Sequence, residues 1–166
     1  MGAIVFQTIR ESKALAYSTF ARYVSPAKAN EKYGVIAYVG SQSDKFNEAT
    51  VGMNELLNNL PYLPKNLELA KGGAKKDIET ERITQDGIIF NYLAAKQLGL
   101  KDDIRKSVYA NVDTISFADL QKLHHDNLAN KPYTYAIVAS DKKVKTEDMQ
   151  KLGELKVLSL EEIFGY

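Results

Sequence analysis

The chain has 166 residues, 45% of them hydrophobic, with 22 lysines and arginines against 21 aspartates and glutamates and a formal charge of +1. That length suits one domain, or most of one, with a single buried core, and the even charge gives no electrostatic reason to expect nucleic acid, an anionic membrane or an acidic substrate. There is no cysteine, which excludes a disulfide frame and thiolate zinc ligation and is equally compatible with cytoplasm and periplasm.

No apolar run approaches the length of a membrane span, and MGAIVFQ lacks the basic region and cleavage site of a signal peptide. The chain opens directly on an apolar helix, where an N-terminus usually frays through polar residues first. The expectation is a segment of a longer protein, with any targeting signal upstream.

Ile4, Val5, Thr8 and Ile9 fall on one helical face, with Phe6 nearby, which predicts a helix over about 2–11. After Lys13 the pattern switches to period two. Leu15, Tyr17, Thr19, Ala21 and Tyr23 alternate with Ala16, Ser18, Phe20, Arg22 and Val24, predicting a strand over 14–24. A polar loop containing Ser25-Pro26 leads to YGVIAYVG, a second strand over 33–40 rich in β-branched and aromatic residues. Two strands joined by a short loop pair antiparallel in most cases.

Ser43-Asp44 offers a helix cap, and Phe46, Ala49, Met53, Leu56, Leu57 and Leu60 mark one helical face until Pro61 and Pro64. A helix over 65–80 is interrupted by Gly72-Gly73, implying a break or a close backbone approach. Further helices are expected over about 84–98, closing at Gly99, and from Asp102-Asp103 through Tyr109, with Ile104 and Val108 facing inward. Ser116 caps another, with Phe117, Leu120, Leu123 and Leu128 as its buried stripe. Pro132 opens a third strand, 133–140. A short helix over 146–152, an extended 155–158 and a final turn over 160–164 complete the chain. Strands early and late with helices between give an α+β class. Three strong strands are few for that much helix, so the sheet is expected to gain a strand from upstream residues or from the segment near Val157.

The catalogue of reactive motifs is short. His124 and His125 are adjacent in HHDNL, so on a helix they diverge by about 100°; they meet neither H-x-x-E-H nor H-E-x-x-H and read as a partly exposed helix surface. No G-x-S-x-G elbow and no phosphate loop occurs. Paired acids at Asp102-Asp103 and Glu161-Glu162 read as a helix start and a solvated turn, and Lys71, Lys75 and Lys76 as a solvated helix face. Arg10 and Tyr17 remain, seven residues apart. Taken alone, the arginine suits the last turn of a helix and the tyrosine suits a strand.

Val5, Phe6, Ile9, Arg10, Glu11, Leu15, Ala16 and Tyr17 together resemble a pattern of the pitrilysin/insulinase-family zinc metallopeptidases, the inverted zincins: L-F-x-x-[IL]-R-E-x-x-x-L-[AG]-Y followed by a strand. The later order of elements, through YGVIAYVGSQ, the helical middle, YTYAIVASD and LSLEEIFGY, is similar as well. The resemblance implies a C-terminal-type, non-catalytic domain: 1–166 as most of one domain, near the end of a longer peptidase chain. Its implied fold is that of a metallopeptidase half, as in the mitochondrial processing peptidases. An antiparallel or mixed sheet would carry helices on one face and lack its first elements. It implies that Arg10 and Tyr17 bind the backbone of a peptide substrate. Zinc is expected in a partner catalytic half, on the same polypeptide or a separate subunit, with no metal site and no hydrolysis in this chain alone. A catalytically inactive interaction or scaffold module of the same fold is the alternative. Ala16 stands where many members carry glycine, a departure that would shift the start of the strand.

Overall fold

The computed structural model describes residues 2–166. Helix α1 (Gly2–Val5) runs directly into a π-helical segment, Phe6–Ser12. Val5 and Ile9 are fully buried on its inner face. The chain then turns through Ala14, a non-glycine residue at φ 49°, and enters β1 (Ser18–Val24), which pairs antiparallel with β2 (Gly34–Gly40) from Ser18 opposite Gly40 to Val24 opposite Gly34. Strand alternation sends Thr19 and Ala21 inward. On the outer face Phe20 stacks on its cross-strand partner Tyr38, with ring centroids 5.3 Å apart.

Helix α2 (Phe46–Asn58) covers the inner face. Ala49, Met53 and Leu57, spaced four apart, join Val5, Ile9, Leu15 and Ala21 in one core, with Val35, Ala37 and Val39 of β2 packed against it. Gly52 makes this approach possible: a Cβ there would stand 3.3 Å from both Ile9 Cδ1 and Leu15 Cδ1.

The remaining helices are α3 (Pro64–Thr80), α4 (Gln85–Gln97), α5 (Ile104–Asn111), α6 (Phe117–Asn127), α7 (Thr146–Gln150) and α8 (Leu160–Phe164). Polar bonds rather than a second core join several of them. Lys75 Nζ lies 2.5 Å from Asp113, Arg105 pairs with Glu81 at 3.0 Å, and the Tyr109 hydroxyl donates to Glu79 at 2.5 Å. The Lys71–Lys76 face is therefore an inter-helix seam in part, not simply a solvated surface. The caps at Asp103 and Ser116 form as expected. Hydrogen bonds from Arg105 hold the Asp103 carboxyl below its ordinary range, and those from Ser116 do the same to Asp119.

Several sequence expectations are corrected. β1 starts at Ser18 rather than at residue 14, because the left-handed Ala14 and the turn it makes occupy the stretch before it. Ser43 and Asp44 form a 3₁₀ turn and make no capping bond. Gly72-Gly73 neither breaks α3 nor meets a neighbour, since nothing lies within 4 Å of either added Cβ. Ile104, Val108 and Leu123 are exposed. The segments 133–140 and 155–158 are not strands. Residues 133–139 run unbent, but side chains rather than a backbone ladder hold them to α2. The Tyr133 hydroxyl donates to the Leu128 carbonyl at 2.8 Å, with Asn58 Oδ1 3.1 Å away, and the Tyr135 hydroxyl donates to Asn54 at 3.0 Å. Among the described residues the fold is α+β, with eight α-helices and a two-stranded antiparallel sheet, and no helix is long and apolar enough to cross a membrane.

Candidate functional site

Arg10 and Tyr17 flank the turn between the π-helical segment and β1. The segment closes with Lys13 N–H donating to the Thr8 carbonyl at 3.0 Å and Leu15 N–H to the Ile9 carbonyl at 2.9 Å. Such wide turns are rare and often sit at functional positions. The turn is held from both sides. Below it, Ile9 and Leu15 are buried against α2; beside it, Lys13 Nζ pairs with Glu55 of α2 at 2.8 Å; and Tyr17 N–H donates to the Gly40 carbonyl at 2.7 Å, locking the entry to β1.

Both candidate side chains face solvent. Arg10 places its guanidinium carbon 5.0 Å from the Phe6 ring centroid, an i,i+4 stacking contact that orients the group without using its N–H donors. Among the described residues no acid or carbonyl accepts from it. The Tyr17 ring is 87% exposed, and its hydroxyl has no partner among the described residues. A guanidinium offers fixed parallel donors to a carbonyl or carboxylate, and a phenol offers one more donor. The turn thus carries two donors with no partner among the described residues.

The histidines separate as their adjacency requires, but not as a plain surface. His124 is 7% exposed, with Nε2 2.9 Å from the Leu57 carbonyl oxygen. A carbonyl only accepts, so Nε2 carries the proton and the ring ties α6 to the end of α2. His125 is exposed, with Nδ1 3.1 Å from Asp126 Oδ1, while Lys122 holds the other oxygen at 2.9 Å. Lys122 and, after it, His125 hold Asp126 below the usual carboxylate range. No serine hydroxyl joins this pair among the described residues, and there is no group of three or more His, Asp or Glu placed to hold a metal ion among them.

A second feature lies on the free edge of the sheet. Between β2 and the unbent run 133–139 lies an open groove of about 1350 Å³, floored by Ala49, Met53 and Leu57 of α2. Compared with protein-family models, curated proteins and solved structures, the chain matches none of them.

Proposed function

We propose that this chain is the non-catalytic half of a zinc-dependent endopeptidase of the pitrilysin kind. In this reading it has the metallopeptidase-half fold, closes a substrate chamber against a zinc-bearing half, and binds the peptide substrate through Arg10 and Tyr17. The zinc and the general base belong to the partner half, whose H-x-x-E-H motif this sequence lacks. Arg10 holds a substrate carbonyl, and Tyr17 donates toward oxygen charge that develops near the scissile bond.

The observation that carries this reading is the pair of exposed donors, without a partner among the described residues, on a turn fixed by Ile9, Leu15 and the Lys13–Glu55 pair. The test is peptide cleavage and metal content of the chain alone, and then mixed with a candidate half carrying H-x-x-E-H. The expected result is no cleavage alone and cleavage on mixing. In the mixture, Arg10→Ala and Tyr17→Phe each lower kcat/KM by about tenfold to a hundredfold, the loss of one hydrogen bond of the charged kind, with unchanged circular dichroism. Full activity in both variants would remove their substrate role.

The alternative, an inactive interaction module of the same fold, is favoured by α4, whose Ile88, Ile89, Phe90, Tyr92 and Leu93 are all exposed. Stable association with the zinc-bearing half without any gain in cleavage would select it.

A further inference from the structure

We propose that the groove between β2 and residues 133–139 is a slot for one extended polypeptide strand supplied from outside residues 1–166, which pairs with both walls and completes the sheet. The inference does not depend on Arg10 or Tyr17.

The argument is one of unspent hydrogen bonds. β2 pairs with β1 on one side only, so its other edge presents a row of N–H and C=O groups to the groove. Across it, residues 133–139 make no backbone–backbone hydrogen bond among the described residues, although they run unbent for the length of β2. Main-chain groups that are to be buried need partners, and only another extended backbone satisfies two facing edges at once. The groove's volume of about 1350 Å³ is ample for a strand of seven residues, about 23 Å long.

Direction and charge narrow the occupant further. Tyr133 reaches Asn58 and Tyr135 reaches Asn54, so the run advances toward the start of α2, as does β2, which precedes α2 through a short connection. The two walls are therefore parallel. A strand antiparallel to both makes the straighter bonds, and its C-terminal end then meets the start of both walls. Lys32 and Lys131 stand there, and they are the only charged side chains lining the groove. The floor is apolar. The occupant is an extended segment with apolar β-branched residues at alternate positions and a carboxylate at its C-terminal end.

The probe is the peptide acetyl-Thr-Val-Thr-Val-Thr-Val-Asp, titrated into the full chain while amide hydrogen exchange is followed. The expected result is at least tenfold slower exchange both in 133–139 and at the outward amides of β2. Replacing the terminal Asp by Lys weakens binding about fivefold, and in the Lys32→Glu, Lys131→Glu double variant the preference reverses. A central Val replaced by Pro abolishes protection. Protection confined to β2, no protection at millimolar peptide, or a free chain that is already dimeric with both edges protected would each overturn the proposal.

Discussion

His124 buries a ring that its neighbour His125 leaves in water, and the difference lies in one hydrogen bond to the end of α2. Replacing His124 by Leu leaves the Leu57 carbonyl without its donor in a buried place. The expected cost is about 1–3 kcal/mol, read as a lower urea midpoint with an unchanged slope. The same change at His125 shifts stability by less than about 0.5 kcal/mol. Nothing in HHDNL distinguishes the two, because which of two adjacent residues faces inward depends on where α6 lands against α2, and that is a tertiary fact. The spacing of Arg10 and Tyr17 can be read along the chain, but their lack of partners among the described residues cannot. Local chemistry was easier to read: Ser116 and Asp103 cap their helices as Ser and Asp do, and Gly99 takes the left-handed conformation at φ 72° that a helix end asks for.

At the scale of elements, period two gave the hairpin and four-residue spacing gave the buried face of α2, since both elements lie on the one real core. The failures fall where an element lacks a partner. The run 133–139 has the composition of a strand, but a strand is defined by its neighbour, and no neighbour lies within bonding reach. α3 is the opposite case, a helix that persists through two glycines with no tertiary packing at either. Its glycines therefore carry only their intrinsic cost. Gly72→Ala and Gly73→Ala should each stabilise the chain by about 0.5–1 kcal/mol, and together raise the melting temperature by about 4 °C. A loss of stability would mean that α3 packs more closely than its open surroundings suggest.

The whole molecule exposes 12895 Å², where a compact monomer of 18.5 kDa exposes about 8200 Å². The excess is distributed over α4, the outer face of the hairpin and the groove, where Ile89, Phe90, Tyr38 and Val138 are all exposed. Unfolding this chain therefore uncovers only about three quarters of the area that a compact protein of its mass would uncover. The denaturant slope scales with that area and should be reduced in the same proportion. Urea titration of the isolated chain tests this, and a slope of full size would mean that the chain is closed in solution. A covering partner should restore the slope.

The π-helical segment has a consequence at the level of the gene. A turn of this kind holds one residue more than an α-helical turn, so it is tied to a reading length as well as to a composition. Loss of a single codon within residues 6–12 would let the turn close as an ordinary helix, with one residue fewer in the same turn and the faces before and after it left nearly in phase. Most substitutions in this stretch leave the wide turn intact, whereas one deletion removes it. In any set of related sequences, a one-residue gap here would mark the members that have lost the wide turn before β1.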